Sequence, residues 1–457
     1  MQKRMIAILV ACLSITPTAV LGTALTWESS FDYQVTSSVD TQAETQMAVS
    51  PTNTNLVVTA VINIIDNTFP IPDVIRCHIY RSADGGQMWS FKYEIPLTSG
   101  SNKGDDPSVT VDKNGKFYVA CRSVDAGDFS PSDIVLASST DGNTWTTTTV
   151  VQGFDNQDYP QIRADTSNNP TTQNRVYLCW SRIVTTTDTI KFKQIVPNND
   201  ATLVDLASGS TARPHGCVLD IDSNGGVYAT WMRFTSSSAG REEIRRNFDV
   251  NLNPSSWTAS VNVKTFTRFP SCAGWDFGCV NGYNSSVIRV HNFPFTAVDS
   301  GNAVNVAYAD YSATNGGEIK YTRSTNCGNG GSCTWSSTIS INNDGTSRDQ
   351  WEPMIAASKK SSTVHVTAYD RRDDTGNISY KPFHYHCHIA DNCALQSSWY
   401  NVKVSDNGGT NLDSSMFNGE YHGVASSTAR EAYTVWTDHR VTNPTNNYDI
   451  WGDRTTT

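Results

Sequence analysis

The stretch WEPMIAASKKSSTVHVTAYDRR, residues 351–372, decides the fold of this chain. It is typical of two β-strands, PMIAA and VHVTAY, which are joined by a polar turn and followed by the charged cluster Asp370-Arg371-Arg372. An isolated two-stranded hairpin is only marginally stable in water. The stretch therefore indicates part of a larger sheet, and its pattern recurs along the chain.

The pattern recurs about seven times, which indicates a repeat architecture. In five of the seven copies the second residue is Pro, which we expect to start a strand without the loss of a hydrogen-bond donor. The first strands are expected to begin at Glu44, Asp106, Tyr159, Arg213, Phe293, Glu352 and Glu420. The second strands are expected to begin at Leu56, Phe117, Val176, Val227, Val304, Val364 and Ala432.

The spacing of the copies predicts a β-propeller. Successive Pro positions lie about 53 to 80 residues apart, which is enough for four strands and their loops. Four-stranded sheets repeated around an axis leave only short, protected edges. A pair of β-sandwiches would not explain one pattern repeated along nearly the whole chain. We predict a single all-β propeller domain over residues 23–457, with seven blades and with six or eight as alternatives.

The two ends of the chain predict how the ring closes. The last copy supplies strands at Glu420 and Ala432 and a third strand over residues 448–454. We expect the missing outer strand to come from FDYQVT, residues 31–36, so that both termini share one sheet.

The first 22 residues predict an export signal. Lys3 and Arg4 precede an apolar run, and small residues at 20–22 provide a cleavage site. No later segment approaches the roughly 20 apolar residues that span a bilayer. The chain has 34 Lys and Arg against 44 Asp and Glu, a formal net charge of −10, which argues against nucleic-acid binding. We predict a secreted, extracellular monomer without membrane insertion, cofactor or metal.

Export makes disulfides the default interpretation of the cysteines. The pairs Cys327/Cys333 and Cys387/Cys393 share one spacing, and Cys272/Cys279 is similar. A metal site is the less favoured alternative, because it needs CxxC-type spacing with His partners. Four cysteines in strand-like runs are expected to be buried thiols, namely Cys77, Cys121, Cys179 and Cys217. Asn284 and Asn377 begin glycosylation sequons, which only a eukaryotic host would use.

Two loops carry a motif with a family resemblance. Residues 82–89, SADGGQMW, and 139–145, STDGNTW, resemble the Asp-box, S-x-D-x-G-x-x-W, of sialidases and other bacterial-neuraminidase-repeat propellers. In such a loop Asp accepts backbone N–H bonds, Gly takes a positive φ and Trp packs between blades. Degenerate versions that contain a Cys pair end at Trp335 and Trp399. The resemblance implies the fold, since in that family the box lies away from the active site.

The last two copies also resemble secreted propellers of the sialidase-like group. The shared features are W-x-P with Y-D-R-R, then G-[ED]-Y-x-G, V-W-T-D-x-R and a closing D-I. Here they occupy residues 351–372, 419–423, 435–440 and 449–450.

Propeller geometry brings the start of each first strand beside the end of each second strand, around the central channel. The first group contains Asp105, Asp106, Asp158, Tyr159, Arg213, His215, His291, Trp351, Glu352, Glu420, Tyr421 and His422. The second group contains Arg122, Arg182, Arg233, Asp310, Asp370, Arg371, Asp438 and Arg440. Arginine suits carboxylates and aromatic faces suit sugar rings, so these residues predict a pocket for an acidic glycan. Ion pairing between blades is the alternative explanation.

The sialidase resemblance implies roles for some of these residues. That family uses three Arg on the substrate carboxylate, an Asp acid/base and a Tyr nucleophile paired with Glu. Here it implies Tyr421 as nucleophile, Glu352 or Glu420 as its partner, and Asp105 or Asp106 as acid/base. Substrate contacts are expected from Arg182, Arg213, Arg233, Arg371, Arg440, His215, His422 and Trp351. The R-I-P motif that supplies the first Arg in sialidases is absent before the first blade.

Two other functions stay open. A uronate polysaccharide lyase would use arginines on the uronate and His or Tyr as base and acid, from Arg182, Arg233, His215, His291, Tyr421 and His422. A secreted carbohydrate- or protein-binding propeller would keep the pocket without an acid/base pair. His384, His386 and His388 alternate along a predicted outer strand, and we expect a solvated strand face there rather than a metal site.

Overall fold

The computed structural model describes residues 28–29, 31–65, 74–125, 131–197, 203–271, 278–282, 287–328, 332–357, 363–406, 419–428, 431–438, 440 and 448–456. Within these ranges the chain is all-β, as predicted, with single 3-10 turns at Pro254–Ser256, Ile389–Asp391 and Gln396–Ser398. None of the helices in this part of the chain is long and apolar enough to cross a membrane. The predicted signal, Cys272 and the Asn284 sequon lie outside the described residues.

Consecutive strands form antiparallel sheets, which we call A to G in chain order. Two short strands come first, β1 (Glu28–Ser29) and β2 (Tyr33–Gln34). One eight-stranded sheet contains β3 (Thr41–Val49), β4 (Val57–Ile64), β5 (Ile75–Ser82), β6 (Ser90–Glu94), β7 (Ser101–Val111), β8 (Phe117–Asp125), β9 (Ser132–Ser139) and β10 (Thr146–Val151). We call its halves sheet A (β3 to β6) and sheet B (β7 to β10), and they join through a parallel bridge between Ile75 of β5 and Lys103 of β7. Sheets C and D contain β11 (Asn156–Ala164), β12 (Val176–Ile183), β13 (Asp188–Val196), β14 (Val204–Gly209), β15 (Pro214–Ile221), β16 (Val227–Phe234), β17 (Ala239–Asn247) and β18 (Val261–Thr267).

The second half of the chain continues the pattern after an inserted hairpin. The hairpin contains β19 (Gly278–Asn281) and β20 (Val287–Val290). Sheets E and F contain β21 (Phe295–Val298), β22 (Val304–Ser312), β23 (Gly316–Ser324), β24 (Ile339–Ser340), β25 (Gln350–Ala357), β26 (Thr363–Asp370), β27 (Lys381–His388) and β28 (Tyr400–Lys403). Sheet G contains β29 (Gly423–Thr428), β30 (Glu431–Asp438) and β31 (Asp449–Thr456), with β1 and β2 paired to β31.

The sheets stand side by side in a propeller-like arrangement. The first strands of successive sheets contact each other in chain order, from β3 through β7, β11, β15, β21 and β25 to β29. Strand β29 in turn contacts β3. Tyr33 and Gln34 of β2 lie opposite Gly452 and Trp451 of β31, so the N-terminal segment forms part of sheet G.

Apolar contacts between neighbouring sheets form the core. Between sheets A and B, for example, Ala60 and Ile79 pack in one cluster with Val119 and Trp145. Both faces of the inner strands are buried in this way, which explains continuous apolar runs such as VVTAV in β4. Burial of apolar surface contributes about 25 cal/mol per Å² and is the main stabilising contribution of such clusters.

The prediction that Pro starts the first strands is wrong for three sheets. Pro107, Pro160 and Pro353 lie inside β7, β11 and β25, which begin several residues earlier. Each Pro is the second residue of a β-bulge, where two residues oppose one residue of the partner strand. The bulge leaves that position outside the hydrogen-bonded ladder, so Pro sacrifices no bond there.

The prediction of buried thiols is also wrong. Cys77 of β5 is bonded to Cys121 of β8, and Cys179 of β12 is bonded to Cys217 of β15. These disulfides join neighbouring sheets, which a sequence reading of each strand alone could not show. The two predicted local pairs, Cys327–Cys333 and Cys387–Cys393, are confirmed.

The two box-like loops have the hydrogen bonds expected of them. Oδ1 of Asp84 accepts the backbone N–H groups of Gln87 and Met88 at 3.1 and 3.0 Å. Asp141 likewise accepts those of Asn143 and Thr144 at 2.8 and 2.9 Å. These bonds hold tight turns between the third and fourth strands of sheets A and B.

The two classes of disulfide are expected to differ in their contribution to stability. Cys77–Cys121 closes a loop with a sequence separation of 44, whereas Cys387–Cys393 spans 6. On chain-entropy grounds, replacing the first pair with Ala lowers the free energy of unfolding by about 4 kcal/mol and the second by about 2 kcal/mol. Guanidinium titration of both double variants measures the difference. Equal losses would show that the inter-sheet bond does not act by constraining the unfolded chain.

Candidate active site

A left-handed bulge recurs near the start of the first strand in five of the described sheets. The register of each strand shifts there by one residue. The first bulge residue has a positive φ in every case, and these residues are Glu44 (46°), Asp106 (50°), Tyr159 (53°), Gly216 (69°) and Glu352 (51°). A non-glycine residue in this region costs about 1–3 kcal/mol, and such strain concentrates at functional sites.

The bulge residues come together around the Tyr159 ring. The backbone N–H of Tyr159 donates to Oδ2 of Asp106 at 3.1 Å. The ring of Tyr421 meets the Tyr159 ring edge-on at 5.6 Å, and Phe293 lies 4.6 Å from it. Burial, followed by the nearby Asp106, Glu44 and Glu352 carboxyl groups, raises the pKa of the Tyr159 phenol well above its ordinary value. We call Glu44, Asp106, Tyr159, Glu352 and Tyr421 the bulge cluster.

Gly216 occupies the bulge position in sheet D because no side chain fits there. Its φ is +69°, and a Cβ atom would lie 2.2 Å from the Phe293 ring. The ring of His291 stacks on Phe293 at 4.3 Å, and that of His215 is 5.4 Å away. The absence of a side chain at Gly216 thus leaves room for the Phe293 ring, which packs with His291 and His215 beside the bulge cluster.

Arg122 organises the acidic side of the cluster. Its Nε and Nη2 donate to the two oxygens of Asp105 at 2.6 and 2.7 Å, and its Nη1 donates to Asp158. Oδ2 of Asp106 lies 3.4 Å from Nε. Three carboxyl groups therefore share one buried guanidinium group, which leaves Asp106 with the weakest of the three contacts.

Two of the carboxyl groups that contact Arg122, those of Asp106 and Asp158, differ in protonation. Burial raises the pKa of Asp106 to about 8, with further contributions from Asp105 and Asp158 that Arg122 only partly offsets. For Asp158 burial also favours the neutral form, but Arg122 and a hydrogen bond from His215 outweigh it and lower the pKa. Asp106 therefore carries a proton at neutral pH while Asp158 is ionised.

Glu352 is a buried carboxyl group that receives no hydrogen bond from the described residues. Neither oxygen has a hydrogen-bond partner among the described residues, and the side chain is 3% exposed. Burial raises its pKa well above the ordinary value, and Arg289 opposes this only in part. Glu44 is raised in the same way by burial, then by Asp106 and Asp105. Burial therefore favours the protonated form of both side chains.

Glu420 is held by two basic residues from the inserted hairpin and the segment after it. Its Oε1 pairs with Arg289, and its Oε2 lies 2.6 Å from Nε2 of His291. Burial, followed by the charge of Arg289, lowers the pKa of His291 well below its ordinary value, so His291 is neutral at pH 7. Arg289 thus provides a cationic partner for one carboxyl oxygen of Glu420.

The hydroxyl of Tyr421 has no glutamate partner in the part of the chain that the structure describes. Its hydroxyl donates to the backbone oxygen of Pro107 at 3.2 Å. Burial, together with Glu44 and Asp106, raises its pKa well above 10. The phenol therefore keeps its proton at neutral pH.

The predicted substrate-binding arginines are each held by acidic groups of the protein. Nε of Arg182 donates to Asp155 at 2.8 Å, and Arg213 donates to both oxygens of Asp188 at 2.7 and 2.8 Å. The remaining pairs are Arg233 with Glu243 at 3.0 Å, Arg371 with Asp349 at 3.4 Å, and Arg440 with Asp438 at 2.9 Å. These arginines therefore do not converge on a common site for the carboxylate of a substrate.

The other predicted site residues divide between the cluster and the core. Nε2 of His215 lies 3.2 Å from Oδ2 of Asp158, at the edge of the cluster. Trp351 is fully buried, with the Arg371 guanidinium 4.7 Å from its ring. His422 is also fully buried and bonds to Thr367 at 2.8 Å. Trp351 and His422 are therefore placed in packing between sheets F and G.

Sequence reasoning missed Glu44 and Arg289. Glu44 heads the first copy of the repeat at the position that Asp106 and Glu352 occupy in later copies, so aligning the copies could have found it. Arg289 lies in β20, which belongs to no repeat. No signal in the sequence marks it.

The expectation of a solvated histidine face is wrong. His384 and His386 of β27 are fully buried between strands of sheet F. Nδ1 of His365 lies 3.0 Å from Nε2 of His384, and the rings of His384 and His386 are 5.3 Å apart. Within the described ranges, no group of His, Cys, Asp and Glu has the geometry of a metal site.

Replacing Asp106 with Asn is expected to change how stability depends on pH. The folded protein holds a proton on Asp106 up to about pH 8, whereas the unfolded chain loses it near 3.8. Between these values the folded state binds more protons, so Asp106 lowers stability as pH rises. Asp106→Asn keeps the neutral form, and its melting temperature relative to wild type should rise from pH 5 to pH 8.

The matched control is Asp105→Asn. It breaks the two-bond contact with Arg122, so we expect a lower melting temperature at both pH values. A difference between Asp106→Asn and wild type that stays constant or shrinks with pH would contradict the protonation of Asp106.

Comparison with known proteins finds likeness only among solved structures. No family model and no curated protein matches the sequence. A protein of unknown function from Dyadobacter fermentans is 10% identical, with 94% of this chain and 99% of that chain covered at a TM-score of 0.48. The GH93 α-L-arabinofuranosidase of Fusarium graminearum is 10% identical, covered at 94% and 98%, with a TM-score of 0.48. The leech intramolecular trans-sialidase is 11% identical, covered at 94% and 70%, with a TM-score of 0.42.

Proposed function

We propose that the chain is an exported, seven-bladed β-propeller that hydrolyses glycosidic bonds at the bulge cluster. Glu352 is the general acid, and Glu420 is the ionised carboxylate. Asp106 is a second protonated carboxyl group, which donates to a sugar hydroxyl.

Contacts between first strands support seven blades in a closed ring. They run in sequence from sheet A to sheet G and return from β29 to β3. Pairing of β2 with β31 supports closure through the N-terminal segment, as the sequence predicted. In such a ring the strand starts face one another, which explains how bulges far apart in sequence share one cluster.

The disulfides support export. Cys77–Cys121 and Cys179–Cys217 are buried between sheets, and two further bonds close local loops. Such bonds form and persist in oxidising compartments. The signal-like residues 1–22 point in the same direction.

The unpartnered carboxyl group of Glu352 is the observation that carries the proposed chemistry. A buried polar group without a hydrogen bond costs free energy, and the left-handed backbone of Glu352 adds strain. Both costs act against folding, so the group is better explained by a ligand that completes its hydrogen bonds. A glycosidic oxygen accepts a hydrogen bond from a protonated carboxyl group.

Glycoside hydrolysis needs one protonated and one ionised carboxyl group. Their environments must separate the two pKa values, and the cluster provides that contrast. Burial favours the protonated form of Glu352, whereas the ion pair with Arg289 favours the ionised form of Glu420. Glu352 would donate its proton to the leaving oxygen as the bond breaks. Glu420 would stabilise the positive charge that develops on the sugar, or would direct water to it.

Tyr421 serves this mechanism as an aromatic wall. A nucleophilic tyrosine needs a base within hydrogen-bond reach, and the hydroxyl of Tyr421 donates instead to Pro107. The rings of Tyr421, Tyr159 and Phe293 together offer apolar faces for a sugar. We therefore assign catalysis to carboxyl groups rather than to a Tyr–Glu pair.

Leaving-group dependence tests the role of Glu352. A panel of 4-methylumbelliferyl glycosides identifies the sugar, and the phenyl and 2,4-dinitrophenyl glycosides of that sugar are then compared. Glu352→Gln should lose about 10²–10⁴-fold in kcat/KM on the phenyl glycoside, whose departure needs a proton. It should lose much less on the dinitrophenyl glycoside, which departs without one. Glu420→Gln should lower kcat/KM on both the phenyl and the dinitrophenyl glycoside.

Glu94→Gln is the control, because Glu94 lies half-exposed on β6 and should leave both rates unchanged. Equal losses of Glu352→Gln on both glycosides would overturn its role as acid. If a Tyr–Glu pair were the nucleophile, Tyr421→Phe would show the largest loss of kcat/KM on both glycosides. Binding without turnover on the whole panel would leave a carbohydrate-binding role.

A further inference from the structure

The charged groups around the bulge cluster are predominantly acidic. Six carboxyl groups belong to the bulge cluster or pair with Arg122 or Arg289 beside it, namely Glu44, Asp105, Asp106, Asp158, Glu352 and Glu420. The guanidinium groups among them are Arg122 and Arg289. Even with Glu44, Asp106 and Glu352 protonated, three carboxyl groups remain against two guanidinium groups. Among the described residues, the site therefore has no surplus of positive charge.

Both guanidinium groups are already engaged by the protein. Arg122 is shared by three aspartates, and Arg289 pairs with Glu420. His215 likewise faces an internal carboxyl group, that of Asp158. An acidic sugar would have to displace one of these internal ion pairs, which leaves a buried carboxylate without its partner. The arginines predicted to bind an acidic sugar are likewise held by acidic groups.

The same surface suits the hydroxyl groups of an uncharged sugar. Ionised carboxylates only accept hydrogen bonds, and sugar hydroxyls donate them. The protonated Glu352 and Asp106 can in turn donate to ring or hydroxyl oxygens. The Tyr159, Tyr421 and Phe293 rings supply the apolar faces between these polar groups.

We infer that the substrate is a neutral glycan, and that the bulge cluster excludes uronates and sialosides by charge. This inference rests on the proposed function for the location of the site. It also argues against the lyase alternative, since β-elimination requires a uronate.

The test uses pairs of probes that differ only in one carboxylate. The full chain is titrated with the 4-methylumbelliferyl β-D-glucoside and β-D-glucuronide, and with the corresponding galactose and galacturonate pair. Neutral arabinan and galactan are compared with polygalacturonate and a 4-methylumbelliferyl sialoside. Binding is measured by calorimetry and turnover by fluorescence. We expect binding of neutral probes at least tenfold tighter than that of their acidic counterparts.

The outcomes separate this inference from the proposed function. Neutral probes that bind without turnover support a neutral ligand and contradict hydrolysis. Turnover confined to acidic probes overturns the neutral substrate and leaves hydrolysis standing. Equal binding of both members of each pair, or binding of none, overturns the inference.

A variant ties the selectivity to the cluster. Asp158→Asn removes one ionised carboxylate and preserves the side-chain shape. We expect it to narrow the ratio of neutral to acidic binding, provided that its melting curve shows a folded protein. A folded variant with an unchanged ratio would show that charge in the cluster does not set the selectivity.

Discussion

The left-handed bulge in the first strands is the constraint on which the site depends. It inserts one residue into the ladder and holds that residue at a positive φ. In sheet D the residue is Gly216, the type that accepts this conformation without strain, whereas Glu44, Asp106, Tyr159 and Glu352 accept it at a cost. Ionisable side chains thus occupy strained positions that packing between sheets holds in place. The inter-sheet disulfides strengthen the same packing.

Desolvation and charge pairing compete within the cluster, and the outcome differs from residue to residue. Arg122 gives two hydrogen bonds to Asp105 and another to Asp158, so Asp106 receives little compensation for its burial. Glu352 has no hydrogen-bond partner among the described residues, so it receives even less compensation for its burial than Asp106 does. Glu420, by contrast, has Arg289 against one oxygen. Burial therefore favours the neutral form of some carboxyl groups and not of others, because two guanidinium groups cannot pair equally with all the acids around them.

Much of the architecture could be predicted because the repeat is written into local sequence. Apolar runs such as VVTAV, with turn residues between them, indicate inner strands buried on both faces, and those strands are present. The prediction of strand starts from proline was wrong in three sheets, because Pro107, Pro160 and Pro353 lie at the bulge and not at the first residue of the strand. The thiol prediction failed because Cys77 and Cys121 meet only when two sheets pack.

The site was predictable only in part, for a related reason. Asp106, Glu352 and Glu420 occur at a fixed place in the repeat, so their position relative to the channel follows from the fold. Arg289 comes from an inserted hairpin that no repeat position describes. Which arginines are engaged also depends on contacts between segments far apart in sequence, such as Arg440 with Asp32. Sequence thus predicts where the charges gather, whereas their pairing requires the structure.

We propose that the bulge cluster keeps a buried, protonated carboxyl group at neutral pH. Infrared difference spectroscopy between wild type and Glu352→Gln at pH 7 tests it directly. If Glu352 is protonated, the variant loses the carbonyl-stretch band of a neutral carboxylic acid. Loss of the paired stretching bands of a carboxylate would show that Glu352 is ionised and would contradict the account.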